Sequence, residues 1–297
     1  IKPGRQYRLT ISTTLSKDEI WACKGHEVAW EQFELTSWNL PEETSPKPEG
    51  KVTLETADGK IAVVGSGFRY SFDAVSGTLC EMEIGGKTVL SAPLKLNVWR
   101  APVTNEIDGW NAYSSRAAMT GNKAGYGAIG HSNTLASMYY SAGLDKIGYI
   151  PASVNVRLAD GSAYIDVREL ALFGASTERQ LDAYIFGRAS TGVESIYSYK
   201  IDADGTVTVH HLVNPQGEMP AWLPRIGVSM SIDGSLSNVE WYGRGPQASY
   251  PDRKSGYRIG IYKDTVEDMY EPYLIPQDYG LRTDNRWVRF TDADGNG

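Results

Sequence analysis

The tightest constraint on this chain is a set of two-residue turn signals, each flanked by alternating apolar runs. Asp160-Gly161 sits between Val154, Val156 and Leu158 on one side and Ile165 and Val167 on the other. Asp204-Gly205 separates Tyr197, Tyr199 and Ile201 from Val207 and Val209, and Gly85-Gly86 separates Met82 and Ile84 from Val89 and Leu90. A period of two sends successive side chains to opposite faces, and Asp-Gly or Gly-Gly supplies the positive φ of a tight hairpin. Phe68, Tyr70 and Phe72 alternate with Arg69 and Ser71, and Ile226, Val228, Met230 and Ile232 repeat the pattern. Helical periodicity is nearly absent. The chain reads as a large antiparallel, all-β protein.

Its 297 residues suffice for one large domain or two smaller ones, and a 41% apolar share supports a packed core. A net charge of −7 argues against nucleic acid, which needs a basic face. Cys23 and Cys80 form no CxxC and no metal spacing; a disulfide between them has no support, and both are expected as free buried thiols. No apolar run reaches the roughly 18 residues of a membrane span. IKPGRQYRLT has no signal-peptide core, lacks an initial Met and enters a strand almost at once, which suggests the middle of a longer chain. Neither GxGxxG nor GxxxxGK[ST] occurs.

Tyr7, Leu9, Ile11, Thr13 and Leu15 alternate with polar residues as in a strand. A second strand covers about Glu27 to Leu35, and its change of face between Trp30 and Phe33 predicts a bulge. Residues 1–40 thus read as the last strands of a small β-sandwich. PEETSPKPEG, residues 41–50, reads as a linker, and residues 51–297 as a large sandwich. Thr104 to Tyr149 is the exception: a long Gly- and Tyr-rich stretch with one short helix expected near Asn133 to Ala142.

The carboxylates lie mostly in turns (Asp160, Asp204, Asp233) or on polar faces (Glu81, Glu83, Asp166, Glu169), where solvated charge and turn formation explain them. No catalytic residue is assigned. His211 shares a strand face with Val207, Val209 and Val213, so it reads as a sheet-packing histidine. No His/Cys cluster suggests zinc, although loop carbonyls with Asp can hold a calcium or sodium ion. Arg100-Ala101-Pro102-Val103-Thr104-Asn105-Glu106-Ile107-Asp108-Gly109-Trp110 is a strand end running into a polar loop with an aromatic plate. That suits a sugar, whose hydroxyls take hydrogen bonds while its C–H faces stack; a Trp that merely caps the sandwich suits it too. In Trp241-Tyr242-Gly243-Arg244-Gly245-Pro246 the glycines permit close backbone approach. Arg244 offers a planar fork of donors, either to a ligand or, stacked between aromatics, to Asp252 or Glu240 as a corner brace.

Gly243-Arg244-Gly245-Pro246, Tyr250-Pro251-Asp252-Arg253, Tyr273, Pro276-Gln277, Gly280, Arg282 and Arg286-Trp287 follow in an order that resembles the C-terminal β-sandwich of bacterial β-galactosidases of glycoside hydrolase family 2. Arg100-Ala101-Pro102 with Asn105-Glu106 resembles the family's R-A-P-x-x-N-[DE], and Ala142-Gly143-Leu144-Asp145 its AGLD segment, with Tyr139 and Tyr140 where a Trp is usual. Ala248 stands where the family usually has Glu. The resemblance implies a galactose-mutarotase-like supersandwich, preceded by the end of an immunoglobulin-like domain. It implies catalytic glutamates in a barrel domain N-terminal to this region, hence no hydrolysis by this chain alone. It implies a place for Arg100, Asn105, Glu106 and Asp108 at the mouth of a site for β-D-galactosides, beside the Trp110 plate, and Asp252, Arg253, Arg282 and Arg286 fit its pattern as salt-linked architecture together with Arg244. Relatives continue past the equivalent of Gly297 with more strands and a galactose-stacking aromatic, so the sandwich is expected to be truncated there, with one edge open to a second copy. Partners on this view are a β-galactoside or other carbohydrate, the enzyme's other domains and a homo-oligomer. No cofactor is implied, and the compartment stays open between bacterial cytoplasm and periplasm. A free-standing carbohydrate-binding module is the alternative reading. An aldose-epimerase-like enzyme, needing a His acid and a carboxylate base in one cleft, ranks last.

Overall fold

The computed structural model describes residues 5–36, 49–107, 134–174, 191–274 and 276–297. Strands β1 (Arg8–Thr14) and β2 (Glu27–Glu34) form an antiparallel pair. The expected bulge is present but sits at Val28: Thr13 faces Ala29 and Thr14 faces Glu27, which leaves Val28 as the extra residue.

A meander follows: β3 (Thr53–Ala57), β4 (Lys60–Gly65), β5 (Phe68–Asp73), β6 (Leu79–Ile84) and β7 (Lys87–Thr88). Then come β8 (Leu90–Asn97), a single helical turn α1 (Thr104–Ile107) and helix α2 (Leu135–Ser141). The second large sheet contains β9 (Ile147–Ala159), β10 (Ser162–Phe173), β11 (Gly192–Ile201) and β12 (Val207–Gln216) in sequential order. Strand β13 (Gly227–Ile232) returns to pair with β8, and β14 (Asn238–Gly245) lies between β15 (Arg258–Thr265) and β16 (Trp287–Thr291). All these pairings are antiparallel.

The turn signals perform as their chemistry requires. Asp160 and Gly161 (φ 53° and 85°) connect β9 to β10, Gly85 and Gly86 (φ 59° and 76°) connect β6 to β7, and Asp58-Gly59 (φ 50° and 71°) does the same for β3 and β4. The two large sheets face each other through Val63, Phe68, Tyr70, Phe72 and Leu79 on one side and Ile165, Val167, Tyr197, Tyr199 and Ile201 on the other. This is the all-β sandwich that the alternation predicts.

A second cluster joins Leu96, Val98, Tyr139, Leu144, Phe173 and Val193 at the end where the functional loops emerge. Helix α2 is anchored there at both ends. Thr134 caps its N-terminus, its side chain accepting from the Ser137 N–H at 3.1 Å. At the other end the Gly143 N–H reaches the Tyr140 carbonyl and the Leu144 N–H the Tyr139 carbonyl, the double bond of a Schellman cap. Gly143 has φ 70°, and a Cβ there would lie 2.1 Å from the Gly174 Cα, so no side chain fits. The AGLD segment is therefore a helix stop that drops Leu144 into the core.

His211 stacks on Tyr197 at 4.2 Å with the rings nearly parallel and shares a 2.7 Å hydrogen bond with the Ser195 hydroxyl. Burial lowers its pKa. The β1–β2 pair is fastened to the sandwich by side chains. The Gln32 amide both accepts from the Ile259 N–H and donates to the Ile259 carbonyl, each at 3.0 Å. Arg258 pairs with Glu27 and lies 4.5 Å over the Trp30 ring, and Tyr242 donates to Gln6. Cys23 and Cys80 are both free, but neither is buried as expected: Cys23 is exposed, in the turn between β1 and β2, and Cys80 is half-buried on β6.

Candidate functional site

Strand β8 leaves the core at Leu96 and Val98 and delivers Arg100 to the rim. Arg100 grips Glu106 with two parallel bonds of 2.6 and 2.7 Å. Glu106 also accepts from the Val103 N–H at 2.9 Å and from the Tyr139 hydroxyl at 3.1 Å. The Glu106 carboxylate is thus fully occupied, and its side chain is only 9% exposed. A planar fork meeting a planar carboxylate is the strongest ion-pair geometry available to proteins. Burial, then the nearby Glu106 charge, pushes the Tyr139 hydroxyl up to about 12. Arg100 and Glu106 are therefore spent on each other. They form a brace that fixes α1 against α2.

The brace leaves the outer edge of α1 exposed. Thr104 and Asn105 face a cleft of about 200 Å3, whose other wall is Tyr250, Asp252 and Arg253 with Tyr273, Gln277 and Asp278. The Gln277 side-chain oxygen accepts from the Thr104 N–H at 2.9 Å and its hydroxyl at 3.2 Å, stitching the walls together. Asp278 is held by Arg225 at 2.8 Å, and Arg253 lies over the Tyr250 and Tyr257 rings. Asn105 and Asp252 are exposed and Tyr273 is half-exposed. Amide, carboxylate and phenol beside an aromatic face is the composition a sugar hydroxyl array requires. Asp108 and Trp110 lie outside the described residues.

The arginines of the 240–290 stretch serve the corner differently from the expected salt links. Arg244 pairs with Asp284 at 2.5 Å and donates to the Lys254 and Tyr257 carbonyls at 2.9 and 2.7 Å. Neither Asp252 nor Glu240 takes it; Glu240 faces Lys263 at 3.3 Å. The glycines on either side of Arg244 have packing reasons. A Cβ on Gly243 would meet the Asn285 side chain at 1.9 Å, and one on Gly245 the Tyr262 ring at 2.7 Å. Arg282 lies 5.2 Å over the buried Trp241 ring and donates to the Gly280 carbonyl at 2.9 Å. Arg286 lies 5.6 Å over Tyr242, and Arg253 donates to the Ala248 carbonyl at 3.1 Å. Among the described residues, Arg253, Arg282 and Arg286 hold the corner through rings and carbonyls rather than carboxylates. Their ring partners are Trp241 and Tyr242 on β14 and Tyr250 and Tyr257 on the following loop, so the stacking on aromatics expected of Arg244 falls to these three arginines.

A larger hollow of about 520 Å3 opens between the ends of β14, β15 and β16. Charged side chains dominate it (Glu240, Lys263, Asp264, Asp268, Arg289, Asp292), without an aromatic plate, so it lacks the composition of a sugar site. Among the described residues no group of three His, Cys, Asp or Glu is placed to hold a metal, and no helix is long and apolar enough to cross a membrane.

Two family models and several curated proteins match this chain. The family model of the β-galactosidase small chain matches residues 64–296, and that of β-galactosidase domain 4 matches residues 1–36. The β-galactosidase of Priestia megaterium is 26% identical over 293 residues, covering 98% of this chain and 24% of that protein. The β-galactosidase of Halalkalibacterium halodurans is 27% identical, covering 98% and 25%, and that of Vibrio cholerae 27%, covering 97% and 25%. The chain spans about a quarter of the length of the curated relatives it matches.

Proposed function

Since the chain belongs to the β-galactosidase small-chain family, we propose that it is the C-terminal part of an enzyme that hydrolyses terminal β-D-galactosides. It contributes the rim of the active-site mouth and carries no catalytic residue of its own. Residues 1–40 close an immunoglobulin-like domain, 41–50 link, and 51–297 form the large sandwich; the matched ranges 1–36 and 64–296 favour this division. A retaining glycosidase needs two carboxylates about 5–5.5 Å apart, one as nucleophile and one as acid/base. On this reading both belong to the enzyme's other domains.

The observation that carries the proposal is the meeting of the R-A-P-x-x-N-E loop with the Tyr250–Arg253 and Tyr273–Asp278 segments in one cleft. The Arg100–Glu106–Tyr139 brace holds α1 rigid, so Asn105 presents its amide from a fixed backbone. Asp252 can accept from a sugar hydroxyl, and Tyr273 can cover an apolar sugar face. These groups orient the substrate and exclude water while the chemistry proceeds elsewhere.

Three measurements test this. The purified chain is expected to show no β-galactoside turnover, and turnover that follows the protein through purification would refute the non-catalytic role. In the β-galactosidase that contains this chain, Asn105→Ala and Asp252→Ala are expected to raise KM about tenfold, the loss of one or two hydrogen bonds at the mouth. Unchanged KM in both removes the mouth role. Saturable heat on titrating the isolated chain with galactose or lactose would favour a free-standing carbohydrate-binding module.

A further inference from the structure

The cleft beside α1 is held by a ring of contacts that returns to its starting point. Arg100 grips Glu106 and donates through its Nε to the Pro224 carbonyl at 3.3 Å. The next residue, Arg225, holds Asp278 at 2.8 Å. The residue before Asp278, Gln277, takes the Thr104 N–H and hydroxyl at the start of α1. Helix α1 then carries Glu106 back to Arg100. Thr104 and Gln277 are 173 positions apart, yet neither can shift without straining the rest of the ring.

The ring leaves one donor unused. A backbone N–H only donates, so the arm of Gln277 that meets the Thr104 N–H is its oxygen, and Nε2 with two N–H groups occupies the other arm. Among the described residues no group accepts from Nε2, and Gln277 lines the cleft half-buried. Because the ring already holds the side chain, little rotamer freedom is lost when Nε2 meets a ligand. The other wall offers the exposed Asp252, whose carboxylate only accepts. A sugar hydroxyl both donates and accepts, so neighbouring hydroxyls of a neutral polyol satisfy both walls. An anionic ligand would be repelled by Asp252 and Asp278, and a cationic one would leave Nε2 unpaired.

We propose that Gln277 is a positioning and specificity-determining residue of the rim. Its oxygen sets the place of α1, and with it Asn105. Its Nε2 donates to the oxygen of a sugar hydroxyl, a contact that the Asp252 carboxylate cannot make. This assignment rests on the cleft being the rim of a galactoside site, as proposed above.

Steady-state kinetics on a nitrophenyl β-D-galactoside, in the β-galactosidase that contains this chain, separate the two arms. Gln277→Glu keeps an oxygen for Thr104 and removes the donor. It is expected to raise KM about five- to tenfold with kcat little changed, because a contact at the mouth binds ground state and transition state alike. Among monodeoxy galactosides, the one that lacks the partner hydroxyl is expected to show the same KM with Gln277→Glu and with wild type. Gln277→Met removes both arms. It is expected to speed hydrogen exchange at the Thr104 amide and to lessen the effect of Asn105→Ala, which keeps its full size beside Gln277→Glu. Circular dichroism checks folding, and Gln277→Glu alone carries the donor test if Gln277→Met does not fold. If Asn105→Ala and Asp252→Ala raise KM while Gln277→Glu leaves it unchanged, the donor role of Gln277 falls and the rim reading stands. If none of the three moves KM, both fall. A Gln277→Glu loss equal for every deoxy substrate also overturns the donor role. Additive effects of Gln277→Met and Asn105→Ala overturn the positioning role.

Discussion

In the interior of the sandwich Phe72 and Tyr199 meet edge to face at 5.1 Å; at its corner Arg282 lies 5.2 Å over the Trp241 ring. Both contacts bury an aromatic side chain, but different rules place them. The interior contact follows from alternation: once β5 and β11 turn their apolar faces inward, Phe72 and Tyr199 must meet. The corner contact follows from a planar cation seeking a π-face, which no periodicity announces. An apolar interior tolerates apolar side chains of similar volume at small cost. A stacked guanidinium loses its contact to a substitute of equal charge and different shape.

Breaking the interior should have the largest effect. Phe72 is fully buried, and Phe72→Ala is expected to destabilise by about 3–5 kcal/mol in a urea melt. The Arg100–Glu106 brace lies between the two regimes, since it is nearly buried but held by charge. Glu106→Gln keeps the shape and leaves Arg100 without its counter-charge, at an expected cost of about 3 kcal/mol. The same variant should move Tyr139. Its raised pKa, about 12 against an ordinary 10.0, means the folded state holds its proton longer than the unfolded chain does. The associated stability is complete below pH 10 and is lost as the pH climbs toward 12. Glu106→Gln should bring the Tyr139 titration downward yet leave it above 10, because burial is the first cause and persists. Comparing alkaline titrations of the two proteins tests this, and coincident curves would contradict the Tyr139–Glu106 contact.

Legibility in the sequence divides along the same line. The hairpins at Asp160-Gly161 and Gly85-Gly86, the facing cores and the short helix before Ala142 were readable, because each is dictated by local backbone chemistry or a repeating period. The β2 bulge was expected from the change of face after Trp30 but lies at Val28, since a half-exposed valine leaves no mark in an apolar pattern. Glu106 looked like a loop residue open to a ligand; nothing local says that Arg100, six residues earlier, folds back over Pro102 to claim it. The choice of Asp284 over Asp252 for Arg244 was equally invisible, because two aspartates differ only in where the chain carries them. The cleft was half legible: its motifs were noticed, but α1 and Tyr250–Asp278 are about 150 residues apart and meet only through the sheets.

Replacing the stacked cation sharpens the contrast. Arg282→Lys keeps the charge but loses the flat face over Trp241 and the directed bond to the Gly280 carbonyl. We expect a loss of about 1–2 kcal/mol. An ammonium is more strongly hydrated than a guanidinium, so it gains less from a ring it cannot cover. Equal stability for Arg282→Lys and wild type would mean that charge alone suffices at this corner.

The smallest effect belongs to the one corner arginine that does use a carboxylate. Asp284 sits at φ 55°, a left-handed conformation that Asn adopts about as readily as Asp, so Asp284→Asn removes the charge without straining the backbone. Burial raises the Asp284 pKa, but hydrogen bonds from Arg244 and Lys254 outweigh it together and hold it below the ordinary 3.8. A lowered folded-state pKa confers stability above the unfolded value that disappears as the pH falls through the folded one. The pair is about a third exposed, so Asp284→Asn should cost less than about 1 kcal/mol at pH 7. That cost should shrink as the pH falls below 3.8 and vanish once it has passed through the lowered folded-state pKa, where wild type loses the charge as well, and it should shrink in high salt. Arg244 would still donate to the Lys254 and Tyr257 carbonyls, which is why the loss is small. A cost that stayed constant from pH 7 to pH 2.5 would show that Asp284 acts here through its shape and hydrogen bonding. The corner would then owe nothing to paired charge, and would depend wholly on cations over rings.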